Sequence, residues 1–482
     1  MVVTQRRTGG QLSDRWFQSV RAGALGVAVV ATATCGQSKE SSLTGPTPSP
    51  VASLALVLDS LTAAVGAQIH APAVIARDSI GAVLAGYPIT WRSTDTTVVQ
   101  VDTSGLVTAR SVGRGGIIAS AGAHADTLYL TIVTVAFTRI TGGAYHACGV
   151  TTQQAAFCWG AGGGTATLGL KDAALIVSGP VMVPGLPPVM SVATGWEHNC
   201  ALTAAGVAYC WGDNSNAQLG SGKIDSTPHG PVAVSGGLTF TSLAAGPYHT
   251  CGLLSSGAAY CWGYNATGEN GHNPTGTFDA SPAAVGGGLM YLSLTAGLTQ
   301  TCGIGADSTA YCWGDYVGST PTAIATGTRF RVLAAGQQFT CGVASSGSAY
   351  CWGLDTFGQL GDSTQDMSLH TAPHLVSGGL TFTAVFAGGT HACGLTSAGT
   401  AYCWGDGRVG ELGDGQMAIS TTPVAVSGGL SFLTLGGANG FTFGIASTGV
   451  AYTWGGNTYG DLGLGTTPVV YQTTPARVVG QP

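Results

Sequence analysis

The chain has 482 residues, of which 8% are charged and 45% apolar, and 78 are glycine. Soluble domains average about 25% charge and about 7% glycine, so this balance excludes a solvated helical protein, and the apolar content excludes a disordered one. The net charge of −6 is concentrated in 136–482, where seven Lys/Arg face fifteen Asp/Glu; that segment lacks the basic footprint that neutralises phosphates, and nucleic acid is excluded as a partner.

Arg6, Arg7, Arg15 and Arg21 precede an apolar run at 22–34. The run is too short to span a bilayer and has the length of an export signal's hydrophobic core. It ends at Cys35, after which GQSKESSLTGPTPSP forms a polar tether. A cysteine in that place resembles the bacterial lipoproteins, which implies a lipid on Cys35; ordinary signal cleavage is the other reading. Residues 1–35 are expected to be the signal and 36–50 a flexible linker. The protein is then extracytoplasmic, as an outer-membrane lipoprotein, at the cell surface or secreted, and touches membrane only through the anchor.

Residues 51–135 read as one small β domain. Ile89-Thr90-Trp91-Arg92-Ser93-Thr94-Asp95 is a strand with an aromatic core plug at Trp91. Asp102 to Gly105 turns a hairpin, and Leu128, Leu130 and Ile132 alternate as a half-buried strand. These motifs resemble the bacterial immunoglobulin-like domains of adhesins, which implies a β-sandwich serving as a spacer or adhesion module.

Beyond residue 135 seven stretches are nearly superimposable, as in HACGLTSAGTAYCWG at 391–405. Each ends on a tryptophan: Trp159, Trp211, Trp262, Trp313, Trp352, Trp404 and Trp454. The intervals are 52, 51, 51, 39, 52 and 50 residues, and a period near 50 means a solenoid, an array or a propeller. Most tryptophans are followed by an N-x-x-G-Q-L-G turn, clearest at 214–220 and looser at 265–271, 355–361 and 457–463. The short fourth interval lacks it and predicts a trimmed blade edge. A Pro-containing strand such as TPVAVSGGL then leads into the next unit. The first unit lacks such a strand and the chain ends on one, so the tail is expected to complete the first blade.

Within a unit, Ser397-Ala398-Gly399 reads as a three-residue hairpin loop with its glycine in the left-handed region. That register sets Thr396 opposite Thr400 and Cys393 opposite Cys403, within disulfide reach. Alternation puts Cys393, Leu395, Ala401 and Cys403 on one face and Tyr402 and Trp404 on the other, so the large face of one blade can interlock with the small face of the next. Twelve cysteines repeat this spacing, and the expected disulfides join Cys148 to Cys158, Cys200 to Cys210, Cys251 to Cys261, Cys302 to Cys312, Cys341 to Cys351 and Cys393 to Cys403. The seventh unit has Phe443 and Thr453 instead. Both cysteines were lost together, as bonded partners should be in an oxidising compartment. A metal site competes poorly, because one hairpin offers two ligands at most.

The H-x-C…A-Y-C-W-G…N-x-x-G-Q-L-G unit resembles the repeat of the regulator of chromosome condensation family. The resemblance implies an all-β, seven-bladed β-propeller over 136–482 whose last blade mixes N- and C-terminal strands. It implies several functions: the eukaryotic founder is a guanine-nucleotide exchange factor for a nuclear small GTPase, and a secreted bacterial relative caps β-lactamases. Export and near-uniform unit lengths set exchange activity aside.

His146, His198, His249 and His391 share one position, two before the first cysteine, where Gln300, Phe339 and Phe441 stand elsewhere. They are expected to bridge blade turns by hydrogen bonds. Asp213, Asp315 and Asp406 follow Trp-Gly and are expected to cap turns. No nucleophile elbow, H-E-x-x-H or P-loop is present, so no catalytic, metal or cofactor site is assigned. The sequence therefore predicts a monomeric cell-envelope binding protein that presents its propeller to a protein or glycan. The alternatives are a secreted enzyme inhibitor and, from another class, a carboxylate-based carbohydrate-active enzyme.

Overall fold

The computed structural model describes residues 51–482 apart from 71, 228, 274–275, 325–326 and 466–469; the expected export signal, Cys35 and the expected tether lie outside the described residues. The chain folds as an all-β propeller with six separate four-stranded blades and one eleven-stranded, barrel-like sheet. Blade A holds Val189–Thr194, His198–Thr203, Ala208–Gly212 and His229–Ala233, and blade B holds Phe240–Ala245, His249–Leu254, Ala259–Tyr264 and Phe278–Ala284. Blade C holds Tyr291–Ala296, Gln300–Gly305, Ala310–Gly314 and Gly318–Ala323, and blade D holds Phe330–Ala335, Phe339–Ala344, Ala349–Leu354 and Leu369–Leu375. Blade E holds Ala384–Ala387, His391–Leu395, Ala401–Gly405 and Ser420–Ala425, and blade F holds Phe432–Gly437, Phe441–Ala446, Ala451–Gly456 and Tyr471–Arg477. The eleven-stranded sheet contains a leading meander of the same form, Phe137–Gly142, His146–Thr151, Ala156–Ala161 and Ile176–Met182.

Strands two and three pair in the register that the hairpin loop dictates. Cys148 lies opposite Cys158, Cys200 opposite Cys210 and Cys251 opposite Cys261. Cys302 lies opposite Cys312, Cys341 opposite Cys351 and Cys393 opposite Cys403. All six pairs are disulfides, with Cα atoms 4.0–4.1 Å apart. The two faces interlock between neighbours. Trp262 of blade B packs in one cluster with Cys200 and Cys210 of blade A, and Trp313 of blade C packs with Cys251 and Cys261 of blade B. Trp404 of blade E packs with Cys341, Cys351 and Leu360 of blade D, and Trp454 of blade F packs with Cys393, Cys403 and Leu412 of blade E. Each disulfide thus lies under the indole of the next repeat. Where Phe443 and Thr453 replace the cysteines, Phe443 joins Trp159 and Phe441 in one cluster, and the larger ring fills the space with packing in place of a bond.

The tail does not complete the leading meander. Tyr471–Arg477 is the outer strand of its own blade, paired with Ala451–Gly456, and the four strands of the leading meander are consecutive in the chain. No blade mixes the two ends. The Pro-containing strand is the outermost strand of its own unit, as with Pro231, Pro282, Pro321, Pro373, Pro423 and Pro475. Proline has no N–H for a ladder and belongs on an edge, so it ends a unit and does not open the next. The leading meander joins blade F laterally: Asn439 N donates to Gly143 O at 3.2 Å, and Trp159 Nε1 donates to Asp461 O at 2.8 Å.

Residues 51–135 carry nine strands, from Ser53–Leu56 to His124–Val133. Leu128, Leu130 and Ile132 point inward and Tyr129 outward. Gly105 closes the 102–105 turn at φ 88°, and Trp91 is half-buried against the core. The region is not tethered but built in. The outer strand of the leading meander, Ile176–Met182, pairs through Val181 with Ala63 and through Val177 with Ile69. Leu61, Ile69, Ile117 and Leu130 share one core with Cys148, Cys158, Val177 and Trp211. The last residues clasp the same junction: Val135 N donates to Gly480 O at 2.7 Å, and Val479 packs over Gly66.

Candidate recognition face

In an antiparallel meander the turn between strands one and two and the loop between strands three and four fall at the same end. All these connections therefore share one face of the propeller, and the two–three hairpins lie on the other. The repeats are nearly identical in their strands yet differ at the two residues before the histidine position: Ala144-Tyr145, Trp196-Glu197, Pro247-Tyr248, Leu298-Thr299, Gln337-Gln338, Gly389-Thr390 and Asn439-Gly440.

The base of this face is fixed by a hydrogen-bonded staple. His198 Nε2 and Thr250 Oγ1 are 2.8 Å apart, and the Thr250 hydroxyl donates to Gln218 O at 3.2 Å. Its only proton is thus used, so the histidine is the donor. The same carbonyl accepts Trp262 Nε1 at 3.0 Å. His249, Thr301, Trp313 and Glu269 O repeat the pattern, as do His391, Thr442, Trp454 and Glu411 O. His146 uses Asn199, whose Nδ2 donates to Thr167 O beside Trp211. The four histidines bridge neighbouring repeats and are fully buried. Burial holds them neutral, with His146, His249 and His391 pushed down to about 4 and His198 to about 3. Glycine is required above the ring: a Cβ on Gly195 would lie 2.2 Å from His198 Cε1. The sequence pointed to the histidines but not to their acceptors, although the repeats signal them: histidine faces Thr or Asn in the next unit, and phenylalanine faces Ala392 or Ala147.

Above the staples the turns surround an axial funnel of about 200 Å³. It is lined mostly by glycine, alanine and threonine, and no carboxylate lines it. Main-chain bonds link adjacent turns around it, from Leu298 N to Gln337 O, Gln337 N to Gly389 O, Gly389 N to Ala438 O, Asn439 N to Gly143 O and Ala144 N to Trp196 O, at 3.0–3.2 Å. Pro247 has no N–H to continue the series. On that side the side chains form an aromatic arc. Tyr145 meets Tyr459 edge-on at 5.2 Å, Trp196 meets Tyr248 at 5.2 Å, and Tyr248 leads to Tyr264 at 6.4 Å and on to Phe278 at 6.0 Å. Tyr145 is 38% exposed.

The arc is acidic. Burial and then the charge of Asp213 raise the Glu197 carboxyl above its ordinary value. Burial and then Glu197 and Asp213 push the Tyr248 hydroxyl up to about 12. The opposite side carries amides, where Gln337 Nε2 donates to Asn439 Oδ1 at 3.0 Å. The three aspartates after Trp-Gly act within their own loops. Asp213 accepts from Ser215 and Gln218, Asp315 from Tyr316 N, and Asp406 from the guanidinium of Arg408 at 2.7 and 2.8 Å. Among the described residues no group of three His, Cys, Asp or Glu is placed to hold a metal.

The regulator of chromosome condensation (RCC1) repeat is matched at 189–218, 240–269, 331–359 and 382–411, and a second description of the same repeat is matched at 205–253, 346–395 and 448–482. The chain is 29% identical over 178 residues to the protein pim1 of Schizosaccharomyces pombe, covering 34% of this chain and 32% of pim1. It is 32% identical over 135 residues to the ultraviolet-B receptor UVR8 of Arabidopsis thaliana, covering 27% of this chain and 30% of the receptor. These matches span about a third of each relative's length. Among solved structures, Prp20p of Saccharomyces cerevisiae superposes with a TM-score of 0.59 at 20% identity, over 71% of this chain and 87% of that one, which is a likeness of fold. The chain thus carries RCC1 repeats over the matched segments, in a propeller that shares the fold of Prp20p.

Proposed function

We propose that this protein is an exported binding protein of the cell envelope that grips a protein partner with the aromatic arc of its loop face, and that it is not an enzyme. The observation that carries this is the contrast within each repeat: near-identical strands, and turns that differ at every unit and gather Tyr459, Tyr145, Trp196, Tyr248 and Tyr264 on one side. Aromatic side chains supply rigid contact area at low entropic cost and dominate protein interfaces. The acidic surround of Glu197 and Asp213 favours a basic or neutral patch on the partner. Six disulfides support an oxidising compartment, in line with the export signal and, under the lipoprotein reading, an anchor at Cys35. In the same reading the leading meander is the seventh blade, and residues 51–135 are an immunoglobulin-like module fused to it as a rigid stand.

The test is photo-crosslinking on intact cells, with a photoreactive residue at Tyr248 on the arc or at Ser256 on the opposite face. One protein captured from position 248 and none from 256 supports the proposal. Equal capture from both, or none from either, contradicts it. If the captured protein is an enzyme in one-to-one complex, the role is that of an inhibitor.

A further inference from the structure

The seam between blades C and D differs from the other six in a way that leaves a shaped vacancy. At four seams a tryptophan Nε1–H and a Thr hydroxyl or Asn amide converge on one loop carbonyl, as Trp262 and Thr250 do on Gln218 O. At two others, led by Phe339 and Phe441, alanine replaces the threonine and the tryptophan alone donates, Trp404 to Gln359 O and Trp159 to Asp461 O. At the seam between C and D both donors are kept, as Trp352 and Thr340, and the carbonyl is missing. Only Asp315, Tyr316 and Val317 join Ala310–Gly314 to Gly318–Ala323, where blade A uses residues 213–228. Trp352 is 6% exposed against 0% for the other six, and its Nε1 makes no hydrogen bond among the described residues. Thr340 is 2% exposed, and its hydroxyl has only a 3.7 Å contact with Cys302 Sγ. Gln300, in the histidine position and on the cavity wall, donates to Gly336 O and Phe339 O and makes no bond to Thr340.

Both donors border a cavity of about 320 Å³, whose other walls include the Cys302–Cys312 disulfide, Val317 and Ile324. Both donors therefore face the cavity without the loop carbonyl that their counterparts share, and an oxygen placed between them would accept from both. The sister seams show what fits: a carbonyl between the donors, then a leucine buried to within 1% (Leu219, Leu360, Leu412, Leu462). A left-handed glycine follows and lies flat on the indole. A Cβ on Gly220, Gly361 or Gly413 would come within 2.6–2.7 Å of the ring.

We propose that this cavity is a docking site for a turn of a partner protein. The turn carries a leucine-sized side chain followed by glycine, and its main-chain carbonyl accepts jointly from Trp352 Nε1–H and Thr340 Oγ–H. The site opens on the loop face but shares no residue with the aromatic arc, so the two readings stand or fall separately.

The test uses the full exported chain with ¹⁵N-labelled indoles and, as probe, a capped heptapeptide of sequence DTFGQLG, the chain's own 355–361 turn. In the free protein the Trp352 indole proton is expected to exchange faster than those of the other six repeat tryptophans. Titration should shift that resonance alone and saturably. Affinity should fall about tenfold for the peptide with serine in place of leucine, and about tenfold for the Thr340→Val variant. Trp196→Ala on the arc should leave the titration unchanged. The proposal is overturned if the peptide produces no shift at millimolar concentration, if Trp352 exchanges as slowly as its counterparts, or if leucine amide alone binds as well as the turn. As a second variant, grafting 355–361 in place of 315–317 should slow exchange of that indole and abolish peptide binding; a graft that still binds peptide equally also overturns it.

Discussion

His198 Nε2 donates to Thr250 Oγ1 across the seam between blades A and B, and that hydroxyl donates onward to the carbonyl of Gln218. Two buried side chains from successive repeats thereby share one proton path, and each is useful only while the other is present. The chain itself contains the apolar solution, since phenylalanine at 339 and 441 faces Ala392 and Ala147.

His198→Phe alone is therefore expected to cost about 1–3 kcal/mol, because it leaves the buried Thr250 oxygen without a donor. Thr250→Ala alone is expected to cost a similar amount, because it strands the imidazole. The double variant should recover part of the loss. A double-mutant cycle by chemical denaturation measures the coupling, expected at about 1 kcal/mol or more; strict additivity would show that the staple does not act as a unit.

The same histidines set an acid limit on stability. Their folded-state values of about 4, and about 3 for His198, lie below the 6.5 of an unfolded histidine. The unfolded chain takes up protons first, so their contribution is complete above pH 6.5 and is lost as pH falls from there toward 4. Thermal midpoints are expected to drop by several degrees between pH 7 and pH 4.5. A variant with phenylalanine at all four positions and alanine at their Thr or Asn acceptors should show a flatter profile over that window.

Glu411 works in the opposite direction. Burial pushes its carboxyl up to about 7, above the ordinary 4.5, so the folded state holds the proton longer. Its contribution is complete below pH 4.5 and is lost as pH rises through 7. The side chain accepts Val409 N at 2.9 Å, and Gln359 makes the equivalent bond to Phe357 N with an amide oxygen. Glu411→Gln is expected to stabilise the protein by up to about 3 kcal/mol at pH 8 and to change little at pH 5, as read by urea denaturation at the two values.

Deleting residues 470–482 removes the outer strand of blade F together with the clasp of Val478, Val479 and Gly480 on the junction with residues 51–135. The thermal midpoint is expected to fall sharply, by about 10 °C or more, since backbone ladder, the buried Val478 and a shared core go together. An unchanged melting curve would show that the tail is not part of the closed structure.

The disulfides and the interlock of blades were legible because they follow from a local offset: a three-residue hairpin loop fixes which residues face each other, and alternation fixes the faces. Ring closure was not legible, because a Pro-containing strand reads the same whether it opens one unit or ends the previous one. Only its place at the sheet edge decides, and the one such edge that is taken up, at Val177 and Val181, is paired by Ile69 and Ala63 from more than a hundred residues earlier. The proposed recognition face was hidden for a different reason. Tyr145, Trp196 and Tyr248 come from separate repeats, and nothing in their local sequence states that they meet.

The most direct test of an exported, disulfide-stapled propeller is mass-spectrometric mapping of the mature protein purified without reductant from its native host. Six intrachain bonds are expected, each joining cysteines ten positions apart: Cys148 to Cys158, Cys200 to Cys210, Cys251 to Cys261, Cys302 to Cys312, Cys341 to Cys351 and Cys393 to Cys403. Recovery of those twelve sulfurs as free thiols would contradict the stapled blades and, with them, the extracytoplasmic role.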